Sequence, residues 1–368
     1  MTLALYIKLF IETILVFALV DLLQKPFHKI EKRFLKVLFF LAKVILTLYL
    51  ALALIAFDYT IIWKYEYPFA ALYLVLMADI FKDIIVFILS LFKKDFDHKR
   101  KLVLGIALTL VFAVYNVVNM ETIVPRYHKI TSDKLKNEYR LIFFADLHYG
   151  SSQSRQIVDK ALDQIKELHP DYLLLGGDLT DENTTKQEME YLYAKIGSLD
   201  IPTFYIYGNH DRQERAVQKY GALKYTEEEL ERAIKDNGIR ILYEDYEEIN
   251  DDLIILGRED PSHPDKRKAV RDLPKMPEGR YVVSLDHTPY QDEEIKELKA
   301  DLQLSGHTHA GQFFPVLTIY RLLGLNVLGD YFIGDTHLYV SSGIAGWALP
   351  LRSEGHSNFE VFDLTPDA

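Results

Sequence analysis

Five short segments of this chain carry carboxylates, imidazoles and an amide at spacings that suit metal coordination. The first is Phe144-Ala145-Asp146-Leu147-His148-Tyr149-Gly150, which follows a β-type run over Tyr139 to Phe144. Two residues apart on an extended chain, the carboxylate of Asp146 and the imidazole of His148 point the same way, so both can reach one cation. The second runs from Asp171 to Asp181, where an apolar strand enters Gly176-Gly177 and Asp178 is presented just beyond the turn. A carboxylate placed there can bridge two cations. The third, Tyr207-Gly208-Asn209-His210-Asp211, offers a neutral amide oxygen and an imidazole, with Asp211 positioned to orient His210. The fourth places His287 at the end of a strand over Tyr281 to Leu285, and the fifth is Ser305-Gly306-His307-Thr308-His309-Ala310-Gly311-Gln312. Singly, these are a chance pair, a capping Asp, a Gly-Asn turn and solvated histidines. Together they sit wherever a predicted strand ends, which is the edge where ligands collect in an open α/β sheet. They supply only oxygen and nitrogen, as a hard or borderline divalent metal requires.

The elements that must hold these segments alternate. Strands are predicted at Tyr139 to Phe144, Tyr172 to Leu175, Thr203 to Tyr207, Ile239 to Tyr243, Leu253 to Leu256, Tyr281 to Leu285, Asp301 to Leu304, Thr336 to Val340 and Asn358 to Phe362. Helices are predicted at Gln153 to Leu168, Thr185 to Leu199, Glu227 to Asp236 and Asp292 to Lys299. This pattern describes an α/β domain over 139–368, with helices packed around sheets.

Ahead of it lies a different kind of chain. The 368 residues leave room for about two domains. Residues 1–120 hold 14 Lys and Arg against 9 Asp and Glu, a balance of +5, and the remainder holds 28 against 44, a balance of -16. A basic, apolar first third before an acidic remainder describes a membrane anchor followed by a water-facing domain. Four apolar runs, about 3–23, 34–57, 69–92 and 102–118, approach or exceed the roughly 20 residues a bilayer needs, and predict four transmembrane helices. Residues 121–138, polar and containing Pro125, read as a linker. The acidic domain offers no basic face for nucleic acid. With no Cys, disulfides and thiolate metal sites are excluded.

Basic residues concentrate at Lys25 to Arg33 and Lys93 to Lys101, whereas Asp58 to Tyr67 holds only Lys64. The positive-inside rule then puts the first and third loops in the cytoplasm and the large domain outside. Glu12, Lys43, Asp79, Lys82 and Asp83 lie inside the predicted spans, where unpaired charge is costly. They make either a polar pocket for a lipid head group or mutual pairs that fix helix packing.

The order Asp-x-His, Gly-Asp, Gly-Asn-His-Asp, His, Gly-His-x-His resembles the calcineurin-like metallophosphoesterase superfamily, over essentially all of Tyr139 to Leu364. The Gly-His-Thr-His-x-Gly-Gln form, followed by Phe313-Phe314-Pro315 and later Tyr339-Val340-Ser341-Ser342-Gly343, is most similar to its membrane-associated branch of cell-envelope phosphoesterases and transmembrane proteins. Ala145 stands where that branch usually has Ser, and Ala310 where a second Gly is usual; neither removes a ligand. The resemblance implies a four-layer α-β-β-α sandwich with a dinuclear site at one edge. It assigns Asp146, His148, Asp178 and His309 to one divalent metal, and Asp178, Asn209, His287 and His307 to the second. Manganese is expected first, with iron and zinc also accepted. His210, backed by Asp211, is left to protonate the leaving oxygen or stabilise the transition state. Arg258 and Arg352 are candidates to clamp a phosphate. The apolar stretch from Phe313 to Leu328 reads as a lid that meets the bilayer or holds acyl chains, or as an excursion packed on the domain's own core.

The expected function is a membrane-anchored, metal-dependent phosphoesterase of the bacterial cell membrane. Its domain lies outside the cytoplasm and cleaves a lipid-linked or cell-envelope phosphoester, with membrane lipid as its surroundings. A UDP-diacyl-sugar type pyrophosphatase with a cytoplasmic domain is the alternative hydrolase, and a non-catalytic metal-binding membrane scaffold the alternative outside enzymology.

Overall fold

The computed structural model describes residues 2–26, 32–56, 62–94, 96–150 and 153–367. They divide into two compact units: Met1–Asn119 with Phe313–Val316, and Met120–Gln312 with Leu317–Ala368.

The first unit is helical: α1 Thr2–Gln24, α2 Arg33–Ala56, α3 Ile62–Leu91 and α4 His98–Glu121. Each expected span falls on one of these helices. Among the described residues, however, only two stretches, Arg33–Leu54 and His98–Glu121, are long and apolar enough to cross a membrane. The other two carry charged residues, Asp79, Lys82 and Asp83 in α3 and Lys8, Glu12 and Asp21 in α1. The loops used to argue orientation include residues 27–31, 57–61 and 95, which lie outside the described residues. The outer helix faces expose large apolar groups, among them Leu15, Phe34, Ile45 and Leu91. Between helices the charges pair. Lys43 Nζ lies 2.7 Å from Asp79 Oδ2 and also bonds Asp83, Lys82 bonds Asp79, and Gln24 donates to Asp79 at 3.0 Å. Glu12 sits 4.0 Å from Lys8. This is mutual pairing that joins α1, α2 and α3.

The second unit holds two six-stranded sheets. One has the order β1 Ile123–Ser132, β12 Ser357–Pro366, β2 Tyr139–Phe144, β3 Tyr172–Leu175, β4 Thr203–Tyr205 and β5 Arg240–Ile241. The other has the order β10 Gly329–Ile333, β11 Thr336–Val340, β9 Leu302–Ser305, β8 Tyr281–Leu285, β7 Leu253–Gly257 and β6 Asp245–Ile249. The run β2, β3, β4 is parallel in the first, and β7, β8, β9, β11 in the second. The strands that carry the chemistry therefore end at matching edges. The stretch expected as a linker is instead built into the sheet: all ten residues of β1 pair in parallel with β12.

Period-two alternation decides what each strand face meets. On β2, Leu141 and Phe143 join Leu174 and Phe204 of the same sheet and Ile255, Val283 and Leu304 of the facing one, forming the core between the sheets. Ile142 and Phe144 point the other way, under Val158 and Leu162 of α5 Arg155–Glu167, Leu192 and Ile196 of α6 Lys186–Gly197, and Leu230 of α8 Glu227–Asp236. Side-chain caps fix where these helices begin: Ser154 on α5, and Thr185 with Glu188 and Thr226 with Glu229 as reciprocal pairs on α6 and α8. The outer face of the second sheet is covered more thinly, with Ile295 of α9 Asp292–Leu298 packed on Leu338 and Val340. Two further short helices complete the unit, α7 Glu214–Tyr220 and α10 Val316–Leu322, the latter beginning in the Phe313–Val316 segment.

Candidate metal centre

Asp146, His148 and Asp178 follow β2 and β3, Asn209 follows β4, His287 follows β8, and His307 and His309 follow β9. Each strand is buried at its last three residues, and the chain then turns sharply. Asp146, His148, Asp178, His307 and His309 all have positive φ, a conformation that non-glycine residues adopt at some cost and that surrounding structure must impose. Two glycines make room for the carboxylates. A Cβ on Gly306 would fall 2.1 Å from Asp146 Oδ2, and one on Gly208 would fall 2.2 Å from Asp178 Oδ1.

The side chains gather into two groups, Asp146 with His148 and His309, and Asp178 with His287 and His307; within each, the ligand atoms lie within 4.8 Å of one another. The groups adjoin: His148 Nε2 is 3.8 Å from Asp178 Oδ2, and His287 Nε2 is 4.0 Å from Asp146 Oδ1. Asn209 Oδ1 lies 2.8 Å from His307 Nδ1. All seven residues expected as ligands are thus brought to one place.

Their outer contacts fix how they face. His287 Nδ1 lies 2.8 Å from the Gly176 carbonyl and His309 Nδ1 lies 2.9 Å from the Ala345 carbonyl. A carbonyl only accepts, so each Nδ1 carries the proton and each Nε2 presents its lone pair inward. Asp146 accepts the His307 N–H at 2.9 Å, and Asp178 accepts the His210 N–H at 2.8 Å.

This donor set fits a pair of divalent cations. His287 Nε2 faces Asp178 Oδ2 at 3.0 Å, and although burial works to lower that imidazole, Asp178 and Asp146 raise it well above its ordinary value, so the contact calls for positive charge, whether a proton or a cation. His148 Nδ1 lies 3.5 Å from Asp181 Oδ2, which leaves its Nε2 turned toward Asp178 and His309. The protonation pattern points the same way. Burial pushes Asp146 up to about 6. Burial works to lower His148, yet the carboxylates of Asp181, Asp178 and Asp146 outweigh it and raise that imidazole to about 9. Burial and the neighbouring His287 hold His307 down at about 4. Carboxylates packed this closely need positive charge among them.

Three expectations about the surrounding residues are corrected. Asp211 does not orient His210. Its carboxylate instead accepts the backbone N–H groups of Asp178, Leu179, Thr180 and Gly208, at 2.8 to 3.1 Å. Arg258 is 1% exposed and occupied by Glu244, Glu294 and the Lys268 carbonyl. Arg352 is fully buried and donates to the carbonyls of Ser342, Ala345 and His356. Neither guanidinium is free to clamp a substrate, because buried charge must be paired where it sits. Arg352 instead braces the loop whose Ala345 carbonyl holds His309.

The partners of His210 are not among the residues the sequence singles out. Glu182 Oε2 lies 3.0 Å from its Nδ1, and Arg215 Nη1 lies 2.9 Å from its Nε2. Burial opposes ionisation of Glu182, but the hydrogen bond from His210 prevails and holds the carboxyl down at about 2. Trp347 flanks the same imidazole, with ring centroids 5.8 Å apart. The available signal was the second acid in Asp181-Glu182 and the basic residue soon after Asn209.

A family model described as calcineurin-like phosphoesterase matches residues 139–311. An uncharacterized metallophosphoesterase of Helicobacter pylori (strain ATCC 700392 / 26695) is 31% identical over 319 residues, covering 80% of this chain and 83% of its own length. One from strain J99 / ATCC 700824 is 31% identical over 240 residues, covering 64% of this chain. A transmembrane protein with metallophosphoesterase domain from Danio rerio is 27% identical over 286 residues, covering 70% of this chain. The matches span 62% and 61% of the length of these last two relatives, just under two thirds.

Proposed function

The chain belongs to the calcineurin-like metallophosphoesterases, a family of phosphoric ester hydrolases that use a dinuclear metal centre, and from that premise we propose that it is a membrane-anchored phosphohydrolase. The observation that carries the proposal is the convergence of two Asp and His groups from four strand ends. Asp146, His148, Asp178 and His309 would hold one cation, and Asp178, Asn209, His287 and His307 the other, with manganese the metal we expect. When bound, such a pair makes water a competent nucleophile at neutral pH and neutralises charge on the phosphoryl oxygens.

The chain's own residues supply the rest. His210 stands beside His148, with ring centroids 5.1 Å apart, and serves the leaving oxygen. Glu182 holds its Nδ1 proton and so sets the tautomer. Arg215, the guanidinium on Nε2, takes the phosphate-clamping role expected of Arg258 and Arg352. It turns to a phosphoryl oxygen when substrate arrives and leaves Nε2 for the proton.

The substrate is a lipid-linked or cell-envelope phosphoester, met outside the cytoplasm. Two apolar helices of spanning length and the exposed apolar faces around them support a membrane setting. The test is hydrolysis by the purified full chain in detergent with added manganese, against phospholipids, lipid-linked sugars, nucleotide diphospho-lipids and soluble esters. Turnover of a lipid phosphoester that disappears in Asp178→Asn is expected. Turnover confined to soluble esters sinks the lipid assignment, and none with any ester sinks the hydrolase.

A further inference from the structure

The turn that follows α10 leaves three leucines in the open: Leu322 is 82% exposed, Leu323 68% and Leu325 37%. Adjacent apolar side chains this exposed mark a contact surface. We propose that this turn beds into the surface of the lipid bilayer, beside the metal centre. The proposal rests on the membrane setting argued above and not on hydrolysis.

Three observations select a bilayer as the occupant. The first is the turn's backbone, which closes on itself. Leu323 N donates to Ile319 O, Gly324 N to Arg321 O and Leu325 N to Tyr320 O, each at 3.0 Å. Gly324 has φ +76, the left-handed conformation that ends such a helix. Backbone near hydrocarbon favours polar groups satisfied internally, as these three successive N–H groups are. The second is the sequence around the leucines, which has the character of a membrane interface, with Tyr320 and Arg321 directly before them. The third is covalent continuity. Phe313–Val316, which lead into α10, belong to the helical unit, where Tyr73 donates to the Phe314 carbonyl at 2.9 Å.

The turn is also tied to the chemistry. Thr308, between His307 and His309, donates through Oγ1 to Val327 O at 2.5 Å. Asn326 Nδ2 reaches the Pro289 carbonyl at 3.2 Å, two residues after His287. At the start of α10, Leu317 N donates to Glu354 at 2.8 Å. A bilayer held by the leucines therefore lies next to the loops that carry three of the ligands, and a phosphoester in the headgroup layer reaches them without leaving the lipid.

Because the chain has no Cys, single labels test this cleanly. Full-length Leu322→Cys and Leu323→Cys carry a nitroxide in vesicles of phosphatidylcholine and phosphatidylglycerol, and collisions with oxygen are compared with those of a water-soluble nickel chelate. Leu46→Cys on α2, 43% exposed, is the lipid reference, and Lys235→Cys, at a side chain 60% exposed, is the water reference. The expected result is a several-fold preference for oxygen at 322 and 323, as at 46, and the reverse at 235. Labels at 322 and 323 that behave like 235 overturn the proposal. So do labels shielded from both reagents with spin-spin broadening, which means a second copy covers the turn. If 46 itself meets the chelate, the membrane setting fails and this inference with it, whereas an inactive protein with oxygen-exposed labels leaves it standing.

Discussion

Glu182 Oε2 lies 3.0 Å from His210 Nδ1, on the side of the imidazole opposite Arg215. The pair forms because the chain after β3 turns back to place its second acid beneath the loop that follows β4. Glu182→Gln is expected to lower kcat by about 10²-fold with little change in KM, the size of effect general acid catalysis contributes. An unchanged kcat in steady-state assays on a folded variant removes the dyad.

Asp211→Asn should behave differently, because its carboxylate gathers four backbone N–H groups under the site. We expect a loss of stability of about 2 kcal/mol, as for a buried donor left unmatched, measured by denaturant unfolding. A variant as stable as the parent, with only turnover affected, would return Asp211 to the role first expected of it.

Arg215→Ala is expected to raise KM about tenfold, close to the value of one charge-assisted hydrogen bond, and Arg215→Lys should recover part of that. The check is KM measured beside kcat. An effect on kcat alone contradicts a phosphate clamp.

Gly306→Ala places a methyl group where Asp146 Oδ2 now lies, 2.1 Å away. Bound manganese, counted by elemental analysis after dialysis, should fall below that of the parent while far-UV circular dichroism is retained. Full metal content would mean that the carboxylate has room to move.

Arg352→Met leaves the carbonyls of Ser342, Ala345 and His356 without their donor. The expected cost is about 3 kcal/mol, read as a lower Tm, together with weaker metal binding through His309. A Tm equal to the parent's rules out the bracing role.

Much of this site was legible because it sits where apolar runs stop. The runs ending at Phe144, Leu175 and Leu285 are strands in the structure with those same ends, and the groups that follow them converge. What escaped was set by partners far along the chain. β1 reads as a linker because Pro125, Arg126, His128 and Lys129 break any apolar alternation. It is a sheet edge, where Pro is tolerated and polar side chains face outward, and its partner β12 lies more than two hundred residues later. The choice of Glu182 over Asp211 was likewise hidden, since the nearer carboxylate in sequence is the one whose backbone turn sends it elsewhere. Arg258 and Arg352 were candidates by residue type alone; burial, which sequence does not display, settles what they bind.

Each group of ligands draws on both sheets. Asp146 and His148 come from one sheet and His309 from the other, while Asp178 comes from the first and His287 and His307 from the second. The cations would therefore act as rivets through the seam of the sandwich. Neither half of the domain could assemble even one socket alone, and a nascent chain stays chemically silent until β9 has docked.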